Sequence, residues 1–189
     1  MAIDRDKITE GVRLILEGLG RDATKGVMAD TPRRVAEAFG EILAGMDVRP
    51  DDLVKIFTEE RYDEMVLVKD IPFYSMCEHH LLPFLGRAHV AYIPAGGRIT
   101  GISKLARVVD AHARRLQTQE RMTAGIADTL NRTLRPKGVM VVVQAEHLCM
   151  TMRGIRKPGS LTVTSVVTGL FREKPATRAE AMMLIDTGR

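Results

Sequence analysis

The amino-acid sequence predicts an α+β fold in which a helical N-terminal segment precedes a unit of two strands, two helices and two strands. Three observations lead to this prediction. Apolar residues recur at helical spacing near the N-terminus, β-rich runs replace that pattern after residue 60, and two further helical stretches separate the first pair of strands from the second. We therefore divide the 189 residues into an N-terminal helical segment, residues 1–60, and a main domain, residues 61–189.

The N-terminal segment is predicted to form two helices. The first presents an apolar face formed by Ile8, Val12, Ile15 and Leu19. The second is predicted to run from Pro32 to about Ala44, because Thr31 can cap a helix and proline is favoured in a first turn. Pro50 and three acidic residues then interrupt the pattern within residues 46–52, which indicates a linker into the main domain.

The main domain begins with two predicted strands joined by a long connection. Residues 65–68 and 88–93 are rich in β-branched and apolar side chains, and the turn residues 94–97 end the second run. The connection between these strands holds residues 77–83. We expect this connection to be an irregular, accessible loop.

Two predicted helices follow this pair of strands. Ser103 precedes an apolar stretch of helical periodicity and is predicted to cap the first helix. The second helix is predicted to run from Gln119 to Leu134, because Pro136 and Gly138 then stop the pattern.

The second pair of strands completes the predicted unit. Residues 139–143 form a valine-rich run that is predicted to continue as a strand to Cys149, which would place His147 and Cys149 on one face. Residues 161–167 are predicted to form the next strand, and a short helix over residues 177–185 closes the chain.

Composition excludes several classes of protein. No stretch approaches the roughly 20 consecutive apolar residues of a membrane helix. Acidic residues also interrupt the N-terminal stretch that would have to serve as a signal peptide, so we expect a cytoplasmic protein with no membrane partner. The net charge of +4 and the pI of about 9.3 suit an anionic ligand. Because aromatic residues make up only 4% and Trp is missing, a small anion is favoured over nucleic acid.

Cysteine and histidine residues cluster in two short motifs. With only two cysteines a disulfide framework is excluded, which leaves a single bridge, a metal site or two buried thiols. Cys77 opens a Cys-Glu-His-His motif that ends at His80, and Cys149 closes a His-Leu-Cys motif. Thiolate and imidazole together suit zinc. Cys77, His80 and Cys149 would supply three ligands and leave a fourth position for water, as in catalytic zinc sites.

Two further histidines would then stand beside the metal. His79 and His147 lie next to the predicted ligands, and neutral imidazoles are the usual proton carriers near neutral pH. A zinc-activated water with two proton-transfer groups describes hydrolysis. Two alternatives stay open: one of these histidines could be the fourth ligand of a structural zinc, and Cys149 could be a buried thiol in a valine-rich strand.

Other polar residues near these motifs allow both a functional and a structural interpretation. Lys104 and Arg107 are predicted to share a helix face, and Arg153 closely follows the second motif, so several cations could surround one cleft and suit phosphates. Gln119 and Glu120, an amide beside a carboxylate, would suit the donor-rich edge of guanine. Each cation could instead be a solvated surface charge, and the Gln-Glu pair could simply start a helix.

Four separated segments resemble the GTP cyclohydrolase I family and occur in the same order. They are residues 75–84, 101–107, 115–121 and 147–154. The resemblance implies a tunnelling fold, in which the strand-strand-helix-helix-strand-strand units of several subunits form a shared β-barrel, with residues 61–189 as the catalytic domain. It also implies a homo-oligomer, typically a decamer of two pentameric rings, whose active sites lie between subunits.

The resemblance further implies the reaction. GTP and water would give formate and 7,8-dihydroneopterin triphosphate, the first step toward folates or tetrahydrobiopterin. A zinc-activated hydroxide would attack C8 of guanine while a histidine protonates N7. A second hydrolysis would release formate, and rearrangement of the ribose would close the pterin ring.

The family's functional positions fall on individual residues of this chain. The resemblance places the zinc ligands on Cys77, His80 and Cys149, and the proton-transfer groups on His79 and His147. The pair that recognises guanine falls on Gln119 and Glu120, and the residue near the ribose on Ser103. The triphosphate contacts fall on Lys104, Arg107 and Arg153, with Arg34 as a further basic position.

Two competing functions remain compatible with parts of the sequence. A non-catalytic nucleic-acid-binding module stabilised by structural zinc would account for the high pI and the Cys/His motifs. A tunnelling-fold relative that acts on another purine or pterin is the nearer alternative, and the complete pair of zinc motifs argues against it.

Overall fold

The computed structural model of the protein describes residues 3–58 and 62–187. The predicted domain boundary between residues 60 and 61 lies outside these described residues. Two helices, α1 (Arg5–Gly18) and α2 (Thr31–Ile42), pack against each other in the N-terminal part. The side chain of Asp4 caps α1 by accepting a hydrogen bond from the Lys7 backbone N–H at 3.0 Å. Both predicted helices are confirmed, and α2 ends two residues earlier than expected.

A five-stranded sheet forms the centre of the fold. The strands of the described residues are β1 (Ile56–Thr58), β2 (Val66–Cys77), β3 (Pro83–Ile93), β4 (Arg98–Thr100), β5 (Leu116–Gln117), β6 (Gly138–His147) and β7 (Leu161–Val167). β1 pairs with β4 in a small separate sheet. The other strands lie in the order β5-β2-β3-β6-β7, and only the short β5 runs parallel to its neighbour.

Helices cover both faces of this sheet. The remaining helices are α3 (Ile102–Ala113), α4 (Gln119–Leu134), α5 (Leu148–Thr151), α6 (Leu170–Glu173) and α7 (Pro175–Asp186). Along β6, Val141 and Val143 belong to the core shared with α3 and α4, whereas Met140 and Val142 pack with Phe171 of α6 on the other face. The α+β order predicted from the sequence is confirmed. In the part of the chain that the structure describes, no helix combines the length and apolar character needed to cross a membrane.

The first two strands are longer than the sequence predicts. The predicted first strand stopped at residue 68 because Lys69 and Asp70 break the apolar run. The strand instead continues to Cys77 through a bulge at which Asp70 adopts a positive φ of 57°. Pro72 is tolerated because β2 has a neighbour on only one side at that point. The connection to β3 is therefore a short turn and not the long loop that was expected.

The predicted cap of α3 is wrong. The helix begins at Ile102, and its N-cap is Gly101, which has extended backbone angles and makes no side-chain capping bond. Ser103 is already inside the first turn, two residues past the capping position.

The predicted extension of β6 to Cys149 is also wrong. β6 ends at His147, and Cys149 lies in the helical turn α5. The reason is the length of the neighbouring strand: β3 begins at Pro83, and its last pair with β6 joins Phe84 to His147. Beyond that pair β6 has no partner for its backbone groups, so the chain turns into a helical hydrogen-bonding pattern.

Candidate metal centre and catalytic cleft

Cys77, His80 and Cys149 converge at one end of the sheet. Cys77 is the last residue of β2, His80 lies in the turn to β3, and Cys149 lies in α5. Their ligand atoms all lie within 4.8 Å of one another. Two backbone hydrogen bonds of 2.9 Å close the turn, from Cys77 N–H to the Leu82 carbonyl and from Leu81 N–H to the Cys77 carbonyl. Leu81 adopts a φ of 53°, which turns the chain after His80 toward β3.

The donor set of this group fits a zinc ion. Two sulfur atoms and one imidazole nitrogen are ligands that zinc favours, and three protein ligands leave one tetrahedral position open. Both cysteines are free thiols. The pKa of Cys149 is raised, first by burial and then by the neighbouring Cys77. Two thiolates this close therefore require a nearby positive charge, which a divalent cation would supply.

The rings of His79 and His80 are nearly perpendicular although the two residues are adjacent in sequence. Their ring centroids are 6.4 Å apart, and the ring planes are inclined by 83°. His79 is exposed, with its Nδ1 3.9 Å from the sulfur of Cys77, and it lines the cleft beside the metal-binding group. His79 is therefore next to the group of three without belonging to it.

His147 ends β6 at the floor of the same cleft. It lies opposite Phe84 in the strand register, and the two rings stack with centroids 4.6 Å apart and planes inclined by 3°. Its Nε2 is 2.7 Å from Oε1 of Gln119. Burial lowers the pKa of His147, and the nearby Glu120 acts in the opposite direction. The lowered pKa favours the neutral imidazole, and the stacking on Phe84 fixes the plane of the ring.

Gln119 and Glu120 open α4 but have different surroundings. The helix is capped by Thr118, whose hydroxyl accepts a hydrogen bond from the Arg121 N–H at 3.3 Å. Glu120 is exposed and lines the cleft. Gln119 is only 1% exposed, and its amide is hydrogen-bonded inside the protein. Of the two, Glu120 is therefore the side chain with free acceptors toward the cleft.

The cleft has a volume of about 230 Å³. It is lined by residues of both Cys/His motifs, of the start of α4 and of β7, namely Cys77, His79, His80, Gln117, Thr118, Gln119, Glu120, His147, Cys149, Met150 and Thr162. The sequence did not predict Gln117, Thr118, Met150 or Thr162. Thr118 could have been predicted, because a threonine directly before Gln-Glu is a favourable helix N-cap. Single polar residues on short strands have no sequence pattern that would mark them as part of a cleft.

Arg153 brings positive charge to the metal-binding group. Its Nη1 is 3.3 Å from Nε2 of His80, and the side chain lies in the exposed stretch that follows α5. A guanidinium at this point suits an anionic ligand entering the cleft.

The other predicted contacts of the substrate lie elsewhere on this chain. Ser103 and Lys104 are in the first turn of α3, and neither lines the 230 Å³ cleft. Arg107 lines a separate cavity of about 170 Å³. Arg34 lies on α2, where it forms an ion pair of 3.3 Å with Asp30. The chain thus brings together the metal-binding group, both further histidines, Gln119, Glu120 and Arg153, but not these four residues.

The fold and the cleft together define the class of this protein, an α+β protein with a Cys/His group able to hold a metal ion. Within that class, the chain belongs to the GTP cyclohydrolase I family, whose model matches residues 8–186.

Individual relatives match almost the full chain. The GTP cyclohydrolase 1 of Carboxydothermus hydrogenoformans is 56% identical over 97% of this chain and 95% of its own length. That of Pelotomaculum thermopropionicum is 59% identical, over 96% of this chain and 97% of its own length. That of Thermobifida fusca is also 59% identical, over 97% of this chain and 89% of its own length. A solved structure, the archaeosine synthase QueF-Like in its apo form, aligns with 56% of this chain and 93% of its own length. The TM-score is 0.46 and the sequence identity is 19%, so this likeness supports no argument.

Proposed function

We propose that this chain hydrolyses the imidazole ring of the guanine base of GTP. The products would be formate and 7,8-dihydroneopterin triphosphate, at the first step of a route to folates or tetrahydrobiopterin. The observation that carries the proposal is the convergence of Cys77, His80 and Cys149 in one cleft with two further histidines and a carboxylate. Membership of the family over residues 8–186 supports the same reaction.

Cys77, His80 and Cys149 would hold the zinc ion. The close approach of their ligand atoms and the thiolate-imidazole donor set support this assignment. When bound, zinc would supply the Lewis acidity that makes water a competent nucleophile near neutral pH.

Glu120 would recognise the guanine base. The N1–H and the 2-amino group of guanine are adjacent donors, and a carboxylate can accept from both. Glu120 is exposed in the cleft, and its position in the first turn of α4 is favourable for a negative charge. This contact would hold the imidazole ring of the base toward the Cys/His group.

His79 and His147 would move the protons of the reaction. His79, at the exposed side of the cleft, would donate a proton to N7 as C8 is attacked. His147 is neutral and held in one plane by Phe84, so it would accept the proton that the attacking water loses. A second hydrolysis at the former C8 would release formate, after which the ribose rearranges and closes the pterin ring with loss of water.

The triphosphate would be bound by Arg153 together with residues of a neighbouring copy of the chain. Ser103, Lys104, Arg107 and Arg34 do not line the cleft of their own chain, so we assign them to the cleft of a neighbour. Such a site requires a homo-oligomer.

The two edges of the sheet support this oligomer. Both β2 and β7 have a free side over most of their length. Exposed apolar residues lie on these strands: Tyr74 on β2 is 70% exposed, and Leu161 and Val163 on β7 are 62% and 58% exposed. Pairing β7 of one copy with β2 of the next would be a head-to-tail contact, which closes into a ring and removes both edges. We propose this arrangement for the shared barrel, with two pentameric rings forming the decamer.

Two free thiols at a metal-binding group also fit a reducing compartment. Cys77 and Cys149 are close together, and both must stay reduced to act as ligands. We therefore propose the cytoplasm as the location.

Incubation of the zinc-loaded protein with GTP tests the proposed function. The ultraviolet spectrum should change as guanine becomes a pterin, and the change should stop after a chelator removes the metal. Cys149→Ser is the matched variant, because a hydroxyl is a poor zinc ligand. An unchanged spectrum with the metal-loaded parent would reject the enzyme and favour the nucleic-acid-binding module with a structural zinc.

A further inference from the structure

The side-chain amide of Gln119 is bonded on every side by the protein. The two N–H protons of its Nε2 face three acceptors, namely the backbone carbonyls of Val143 and Thr162 at 3.1 and 3.0 Å and the hydroxyl of Thr164 at 3.1 Å. Its Oε1 is 2.7 Å from Nε2 of His147. The residue is 1% exposed, and both polar atoms of the amide already have partners inside the protein.

These partners fix which way the amide points. A backbone carbonyl can only accept a hydrogen bond, so two carbonyls beside one amide atom identify that atom as the nitrogen. The reversed amide would place Oε1 about 3 Å from the carbonyl oxygens of Val143 and Thr162. The oxygen of Gln119 is therefore the atom that faces His147.

The hydroxyl groups behind the amide are consistent with the same direction. The Thr123 hydroxyl donates its proton to the backbone carbonyl of Gln119 at 2.7 Å. The same hydroxyl lies 2.7 Å from the hydroxyl of Thr164. With its own proton committed, Thr123 accepts from Thr164, which leaves Thr164 free to accept from the Gln119 amide. Residues of α4, β6 and β7 thus hold one side chain.

The orientation of Gln119 decides the tautomer of His147. An amide oxygen only accepts, so Nε2 of His147 must carry the proton of this hydrogen bond. In a neutral imidazole the lone pair then lies on Nδ1. Stacking on the fully buried Phe84 prevents the ring from turning away.

We propose that Gln119 is a positioning residue that holds the His147 ring in one orientation and in the Nε2–H tautomer. This inference rests on the proposed function for its catalytic consequence, but the tautomer itself is a property of the folded protein.

Nitrogen-15 NMR of histidine-labelled protein tests the tautomer without any turnover. The His147 signals, assigned by their loss in His147→Ala, should show a protonated Nε2 and an unprotonated Nδ1. Gln119→Met should mix the two tautomers. The control Gln117→Met removes a neighbouring buried amide that bonds the His112 carbonyl, and it should leave the His147 signals unchanged. A protonated Nδ1 in the parent protein would overturn the proposal without any variant.

A double-mutant cycle tests the consequence for catalysis. Gln119→Met should lower kcat by about 10- to 100-fold, part of the 10² to 10⁴ that general acid–base catalysis contributes. In the His147→Ala background the same substitution should cost nothing further, and calorimetry there should show unchanged affinity for GTP. Weaker GTP binding would mean that Gln119 contacts the base, and an equal loss in both backgrounds would mean that it does not act through His147. Absence of formate release by the parent would reject the proposed function, while the NMR result would still decide the tautomer.

Discussion

Glu78 and Arg121 form a two-point ion pair that joins the turn carrying Cys77 and His80 to the first turn of α4. The two guanidinium nitrogens of Arg121 lie 2.6 and 2.8 Å from the two carboxylate oxygens of Glu78. Glu78 directly follows Cys77, and Arg121 directly follows Glu120. The pair therefore couples the position of the Cys/His group to the position of the proposed guanine-binding carboxylate.

Arg121→Gln should affect turnover more than stability. The Arg121 side chain is 58% exposed, and pairs of this kind contribute about 0 to 1 kcal/mol to the free energy of unfolding. Loss of the two-point contact should nevertheless loosen the turn that carries His80 and lower kcat several-fold. Urea unfolding and steady-state kinetics measure both effects. Arg13→Gln, which removes an exposed ion pair with Glu10 on α1, is the control and should leave kcat unchanged. Equal kcat in the two variants would reject the coupling.

Gly86→Ala should be among the most damaging single substitutions. Gly86 lies on β3, and an added Cβ would be 1.9 Å from the Gln144 carbonyl oxygen of β6. Because that atom belongs to the backbone, the two strands must separate, and we expect a loss of about 3 kcal/mol or more in unfolding free energy. His147, three residues along β6, should shift with it. Gly11→Ala on helix α1 is the control, because the added Cβ has no atom within 4 Å. This variant should stabilise the folded protein by about 0.5 to 1 kcal/mol. Similar denaturation midpoints for both variants would contradict the close approach of β3 and β6.

His112 should make the protein less stable in mild acid. Burial, followed by the charges of Arg115 and Arg132, lowers the pKa of His112 from 6.5 to about 4, and Asp51 opposes this only weakly. Between these two values the unfolded chain binds a proton that the folded chain does not. Stability that is fully present above pH 6.5 is therefore lost as the pH falls toward 4, by an amount on the order of 3 kcal/mol.

The variant His112→Gln isolates this effect from the acidic residues. Glutamine can still bond the Thr129 hydroxyl, which lies 3.0 Å from Nε2 of His112, but it does not titrate. The free energy of unfolding should fall less steeply in the variant than in the parent between pH 6.5 and 4. Identical slopes would mean that His112 is not held neutral in the folded protein.

Substitutions of His79 and His80 should have different effects, one on proton transfer and the other on metal binding. His80→Ala removes one of the three converging residues proposed as ligands and should lose most of the zinc. His79→Ala should keep a near-normal zinc content, but its ring-opening rate should fall about 10²- to 10⁴-fold, the usual contribution of general acid catalysis. Elemental analysis and formate release on both variants measure this. If His79→Ala emptied the site and His80→Ala stayed loaded, the two roles would be exchanged.

Much of the fold follows from local periodicity. The helix over Gln119–Leu134 and the strand over residues 161–167 have the predicted bounds, because helix caps, breakers and β-branched runs mark them clearly. The sequence predicts too short a β2, because Lys69 and Asp70 interrupt the apolar run at a bulge. The presence of a bulge depends on the partner strand and not on the local sequence alone. The end of β6 likewise depends on where β3 begins, which no local pattern of β6 contains.

The candidate site could be predicted where its residues are chemically rare. Cys77, His80 and Cys149 were grouped from residue type and spacing, and the structure brings them together although Cys149 lies on a helical turn. The surroundings of Gln119 could not be predicted, because its partners lie on β6 and β7, 24 to 45 residues away along the chain. Of the predicted triphosphate contacts, Arg107 and Arg34 lie outside the cleft of their own chain, and no sequence pattern indicates this separation.

The central claim is that the Cys/His cleft opens the guanine imidazole ring of GTP at C8. The most direct measurement uses GTP labelled with carbon-13 at C8 and follows the label by NMR during incubation with the zinc-loaded protein. We predict that the label appears in free formate, one molecule for each GTP consumed, and that Cys149→Ser abolishes this transfer. Retention of the label in the nucleotide, with zinc bound and GTP present, would contradict the account.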